Sequence, residues 1–340
     1  MSEFGFRPSQ VWDPDSADFE VEEAILRARD EMNRENPDEL LSQLTQKSQT
    51  SKRSGVITFV GHKAEDYSKT DGLVLFDSYA MGIEKDRLTR PEFVRRVLYH
   101  ADVRDKEGLP LPVLFIPSPG LRSFFKSWVN ARAIRKGEFG HFAQPRLKAV
   151  ESMGIGRISL MGHSQGASVA IAAARRQFSP NFDIEALIAD DPVNVERRKI
   201  REFSRDFRAA TDRSQAREAN DLKAQLESVD NRGMAQFLIT AVFWPSNSLV
   251  MLPAMTKNRF DNDVKEVITE GRTQKLVVAY GAQSEMAVPI LVESSLWALS
   301  STDDRRVLTS ICIESADHTW VEDYRLVGKT ALMGFKSSSS

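Results

Sequence analysis

From about residue 55 the chain alternates short apolar runs with stretches of helical periodicity. "GVITFVGH", "GLVLFDSYAMG", "PVLFIPSPG", "RISLMG", "DIEALIADDP", "KLVVAYG" and "RRVLTSICIES" read as strands. "TRPEFVRRVLYHA", "FAQPRLKAVESMG", "SQGASVAIAAARRQF" and "PILVESSLWALS" read as helices between them. The strands are apolar at nearly every position rather than at alternate ones, as expected when both faces of a sheet are covered. This alternation predicts an α/β fold with a mostly parallel central sheet flanked by helices.

Two regions break the alternation. Residues 1–52 read as an N-terminal helical arm, in which Val21, Ile25, Ala28 and Met32 fall on one helical face. Asn36, Pro37, Asp38 and Glu39 form a start signal for a second helix. An arm packed on the domain behind it is the simpler expectation, and a homo-oligomer contact through the arm or the cap is the other. Residues 193–270 read as a helical cap insertion, polar at first and then apolar from Met234 to Met255. The core is then 53–192 and 271–335, with 336–340 a disordered tail.

Composition narrows the function classes. Hydrophobic residues make up 41% and charged residues 28%, with a formal net charge of -2. Such a chain has no global attraction to nucleic acid or to an anionic membrane. The Arg-rich stretch from Arg197 to Arg217 is laced with acids and reads as a solvated face. The N-terminus lacks the pattern of a secretory signal, and no apolar run reaches a membrane span without a break, so a cytoplasmic protein is expected. Cys312 is the single cysteine, which excludes an intramolecular disulfide and a thiolate metal cluster. It is expected to be a buried, inert strand position. No phosphate-binding glycine loop and no H-E-x-x-H is present, so neither a cofactor nor a metal is expected.

The chemistry concentrates at Gly162-His163-Ser164-Gln165-Gly166, between an apolar strand and an alanine-rich helix. A strand passing at once into a helix strains the residue at the apex, and its neighbours two positions away must be small. Gly162 and Gly166 supply that, and Ala167, Ala170, Ala173 and Ala174 let the helix approach the sheet. Ser164 would stand above the carboxyl ends of the strands, where open α/β sheets place their sites. The Gln165 N–H would face the same spot.

This segment resembles the nucleophile elbow of the α/β-hydrolase family, and the resemblance spans about residues 55–330. It implies a serine nucleophile, then an acid, then a histidine along the chain. Outside the elbow, only His318 follows Ser164, in a loop after the last strand. The resemblance places the catalytic base there. For the acid, Glu285 stands four residues before Pro289, as in the family segment, although counting forward from Gly281 gives Ser284. Asp191 or Asp190, after the preceding strand, is the alternative. The oxyanion hole would use the Gln165 N–H and a donor in the loop after "PVLFIPSPG", among Ser118, Gly120 and Leu121. Pro117 and Pro119 have no N–H to give. Trp128 follows that loop.

These parts imply hydrolysis of a small-molecule ester through an acyl-enzyme. The apolar run at 234–255 favours an apolar acyl chain or an aromatic ester. Thioester hydrolysis, amide hydrolysis and acyl transfer use the same parts, as does a cofactor-free perhydrolase. A catalytically silent binding module is the alternative from another class.

Overall fold

The computed structural model describes residues 8–34, 48–50, 57–59, 71–76, 98–104, 112–116, 128–207, 245–270, 273–300 and 308–335, with positions 39, 78, 108, 209 and 210. Its centre is a nine-stranded sheet. The strands are β1 (Gln10–Trp12), β2 (Ser48–Thr50), β3 (Ile57–Phe59), β4 (Gly72–Phe76), β5 (Val113–Ile116), β6 (Arg157–His163), β7 (Asp183–Asp190), β8 (Thr273–Gly281) and β9 (Leu308–Ile313). Their order is β1-β9-β8-β7-β6-β4-β5-β3-β2. From β1 to β5 all neighbours are parallel, and β3 and β2 close one edge as an antiparallel pair.

The helices are α1 (Glu23–Arg34), α2 (Trp128–Arg135), α3 (Gly140–Glu151), α4 (Gln165–Ala174), α5 (Pro245–Met255), α6 (Phe260–Thr269), α7 (Pro289–Ser300) and α8 (Tyr324–Phe335). The period of two along each strand sends alternate side chains to opposite faces. Val74, Phe76, Leu114, Ile158, Leu160, Ile184, Leu187 and Val278 enter one core with residues of α2 to α7. Leu73, Leu75, Val113, Phe115, Ile188, Val277 and Ile311 enter the other, with α1 and α8. Both faces are covered, so the strands are apolar throughout, as the sequence pattern requires.

Two regions differ in detail from the sequence expectation. The N-terminal stretch contributes more than a helix. Ile25, Ala28 and Met32 of α1 are buried against the face that α8 also covers, with Val21 packed alongside. The three-residue β1 adds to the sheet beside β9, with Val11 opposite Cys312. The second helix expected around Asn36 lies outside the described residues. In the stretch assigned to the cap, α6 packs against α4 and α7. Its Phe260, Val264 and Val267 join the core that contains α4. Met251, Ala254 and Met255 of α5 are buried in the same core. These side chains are therefore packing residues rather than a wall over Ser164. The rest of the apolar run, 234–244, lies outside the described residues.

Cys312 is half-buried rather than fully buried. Burial, with help from nearby Glu293 and Glu314, pushes its thiol up to about 11. It is therefore a protonated, weakly nucleophilic thiol at neutral pH. Among the described residues, no helix is long and apolar enough to cross a membrane.

Candidate active site

Four neighbouring strands end side by side and deliver the site. In register, His163 of β6 faces Asp190 of β7, Asp190 faces Ala279 of β8, and Gly281 of β8 faces Ile313 of β9. The chain leaving these ends carries Ser164, Asp191, Ser284 and His318. The carboxyl edge of a parallel sheet is where such folds bring distant residues together.

Ser164 is the hinge between β6 and α4. Its backbone has φ 56° and ψ -119°, a conformation that costs a non-glycine residue energy and is held only by its surroundings. The Ser164 N–H donates to the Asp190 carbonyl at 2.8 Å. Gly162 permits the bend. A Cβ there would lie 2.2 Å from the carbonyl carbon and oxygen of Gly166. Backbone cannot swing aside as a side chain could. Gly162→Ala is accordingly expected to cost about 3 kcal/mol or more of stability, measured by urea unfolding. A loss below 1 kcal/mol would show that the turn can open. All ten residues of α4 are buried, including Ala167, Ala170, Ala173 and Ala174.

Ser164 Oγ lies 2.9 Å from His318 Nε2. His318 opens a 3₁₀ turn, His318–Glu322, whose N-cap Asp317 accepts from the Thr319 N–H. On the other side of the ring, Nδ1 is hydrogen-bonded to Asp191 Oδ2. This is a correction to the expected acid: the carboxylate on His318 is Asp191, the alternative, and not Glu285. Asp191 is fully buried, while Ser164 and His318 are 4% and 6% exposed. The carboxylate at Nδ1 fixes the tautomer, so Nδ1 carries the proton and Nε2 presents its lone pair to the serine hydroxyl.

Ser284 and Trp320, to which the sequence pattern assigns no contact with a carboxylate, both touch Asp191. Ser284 Oγ donates to Asp191 Oδ2 at 2.6 Å, and Trp320 Nε1 donates to Oδ1 at 3.1 Å. The count from Gly281 to Ser284 did carry the signal. Position 284 reaches the acid site, but with a hydroxyl instead of a carboxylate.

Asp190 points elsewhere. Its Oδ2 lies 3.0 Å from His163 Nδ1 and accepts from Thr330 Oγ1 of α8. His163 stacks on His100 behind the elbow. Complete burial holds the Asp190 carboxyl well above the usual range, and the neighbouring Asp191 adds to this. The two adjacent aspartates are thus separated in environment, one hydrogen-bonded by four donors and one buried behind the turn. A raised folded-state pKa means that the native protein holds a proton the unfolded chain has lost. That stabilising contribution is complete in acid and fades as pH rises from the ordinary carboxyl range. Asp190→Asn is therefore expected to gain stability relative to wild type between pH 4 and pH 8, in urea titrations. A constant difference across that range would mean that Asp190 is ionised throughout.

Gln165 is at the first position of α4, where N–H groups have no intrahelical acceptor. The strand beside β6 is β4, not β5. The loop after β5, with Ser118, Gly120 and Leu121, lies outside the described residues and leaves a strand two places from β6, a separation of about 10 Å. Ser78 lies two residues beyond the end of β4, beside the elbow. Ser78, buried there, donates its hydroxyl to the His163 carbonyl at 3.2 Å.

No family model matches the chain. A search of curated proteins likewise finds no match. Similar solved structures include one from work on carboxylesterases of the thaumarchaeon Nitrososphaera gargenis, at 14% identity and a TM-score of 0.46, covering 85% of this chain and 97% of that one. A hydrolase from Pseudomonas aeruginosa shares 14% identity at a TM-score of 0.43, covering 85% and 98%. The enol-lactonase from Burkholderia xenovorans shares 11% identity at 0.46, covering 84% and 98%. At this level the likeness is general, and what the site can do is read from its own geometry.

Proposed function

We propose that this chain, with the α/β-hydrolase fold that its elbow and sheet order point to, is a serine hydrolase cleaving a carboxylic ester through an acyl-enzyme. The observation that carries the reading is the buried chain of contacts from Ser164 Oγ to His318 Nε2 and from His318 Nδ1 to Asp191. A serine hydroxyl is a weak nucleophile until a base accepts its proton. His318 stands at hydrogen-bonding distance to do so, and Asp191 offsets the positive charge that then forms on the ring.

In this reading Ser164 Oγ attacks the ester carbonyl while His318 Nε2 takes the hydroxyl proton. The oxyanion is met by the Gln165 N–H at the start of α4 and by a second backbone N–H. His318 then protonates the leaving alcohol. Water, deprotonated by the same ring, releases the acid and restores Ser164. The substrate class, an apolar acyl chain or an aromatic ester, rests on the apolar composition of residues 234–255 in the sequence.

The test is labelling with a fluorophosphonate, followed by peptide mapping and a panel of p-nitrophenyl esters of increasing chain length. Covalent phosphonate on Ser164 and turnover rising with chain length are expected. A folded protein that neither labels nor turns over any ester would overturn the reading. A preference for charged or sugar esters would overturn the substrate class alone. Product analysis with added alcohol or thiol acceptors separates hydrolysis from acyl transfer.

A further inference from the structure

The Asp191 carboxylate is gripped at both oxygens. Oδ2 accepts from His318 Nδ1 and from Ser284 Oγ. Oδ1 accepts from the Gly281 N–H at 2.9 Å and from Trp320 Nε1 at 3.1 Å. Four donors on one carboxylate leave it no free rotation about its own axis without breaking several bonds at once. The donors come from the end of β8, from the turn after it and from the 3₁₀ turn that carries the base.

Two details make the arrangement directional. Ser284 Oγ accepts from the N–H groups of Met286 and Ala287, at 3.3 and 3.0 Å. A hydroxyl has one proton to give, and with its acceptor side engaged that proton is aimed at Asp191. Trp320 lies two residues beyond His318 on the same turn. The base and the indole therefore hold opposite oxygens of one carboxylate, and the turn is docked at two points instead of one. Gly281 lets that turn come close, because a Cβ there would lie 2.4 Å from the Ala316 carbonyl oxygen.

We infer that Ser284 and Trp320 are positioning residues, locking the Asp191 carboxylate in one orientation and through it the ring of His318. The inference rests on the Ser164–His318–Asp191 reading of the site. Neither side chain touches the reacting atoms. A misaligned base slows proton transfer without weakening ground-state binding of the ester. The loss then falls on kcat and leaves KM in place.

The experiment compares wild type with Ser284→Ala, Ser284→Thr and Trp320→Phe. It reads kcat and KM on a p-nitrophenyl ester, the rate of fluorophosphonate inactivation, the thermal midpoint and the low-field proton resonance of His318 Nδ1–H. That resonance is identified by its absence in His318→Ala. Ser284→Ala and Trp320→Phe are each expected to lower kcat about tenfold, the rate equivalent of one lost buried hydrogen bond, with KM within about twofold. Ser284→Thr, which keeps the hydroxyl, is expected to recover most of the rate, and the resonance to shift in the two impaired variants. Wild-type rates in folded Ser284→Ala and Trp320→Phe would overturn the inference. So would Ser284→Thr as slow as Ser284→Ala at an unchanged thermal midpoint, since that loss would be one of packing. A wild type inert to the phosphonate would sink the hydrolase reading, while a shifted resonance in those same variants would still support the lock on Asp191.

Discussion

Ser164→Ala will abolish fluorophosphonate labelling and lower kcat on a p-nitrophenyl ester by about 10⁵- to 10⁶-fold, and His318→Ala will cost nearly as much. The two losses will not add. Without the nucleophile the base has no proton to take, and without the base Ser164 stays a neutral hydroxyl. The double variant is therefore expected to fall no further than either single one. Both substitutions remove atoms from a buried site, so each needs a check of the folded state by circular dichroism and a thermal midpoint. A folded Ser164→Ala protein with activity within tenfold of wild type would place the chemistry elsewhere.

How far the sequence discloses such a site depends on how local each part is. The elbow is legible because its parts lie within about twenty residues: an apolar strand, two glycines around a serine, and an alanine-rich helix. The structure gives the reason, a bend so tight that Gly162 sits against the Gly166 backbone and Ser164 is forced to positive φ. His318 is legible by chain order, since no other histidine outside the elbow follows Ser164.

The acid is not local. Which carboxylate meets Nδ1 depends on where three strands end relative to one another. A count along the loop after β8 sees only one of them. That count found position 284, which does lie at the acid, but as a donor to it. Asp190 and Asp191 are successive residues at the end of β7, and they send their carboxylates to opposite sides. Asp191 has φ 48° and turns its carboxylate toward His318, while Asp190, the last residue of β7, sends its own behind the elbow toward His163 and Thr330. No pattern of residue types encodes that turn.

The second oxyanion donor is not legible for a similar reason. The resemblance places it after the strand at 113–116, in a loop outside the described residues, and the sheet inserts β4 between that strand and β6. A parallel sheet is built by crossovers, and at this point a crossover gives β6 the neighbour β4 rather than β5. β1 escaped notice because three residues carry no usable periodicity, and its pairing with β9 joins positions about 300 apart in the chain.

Asp191→Asn is the substitution that decides between the two acids, and it is expected to lower kcat about 10⁴-fold. Asparagine keeps the volume and one acceptor oxygen, so Gly281 and Trp320 can still donate to the side chain. It cannot accept at both ends, and it brings an amide that donates. If the amide faces His318, Nδ1 must become the acceptor, and the ring's proton moves to Nε2. The atom that should take the Ser164 proton is then already protonated. If the oxygen faces His318 instead, the amide meets two other donors, the Gly281 N–H and Trp320 Nε1–H, and the imidazolium formed during attack has lost its counter-charge. Either geometry damages the transition state more than ester binding, so KM should stay within a few-fold of wild type. Glu285→Gln, four residues before Pro289 and outside the contacts of His318 Nδ1, should leave kcat within about twofold. The reverse result, an active Asp191→Asn and a silent Glu285→Gln, would mean that the loop after β8 rearranges to bring Glu285 onto the base when substrate binds.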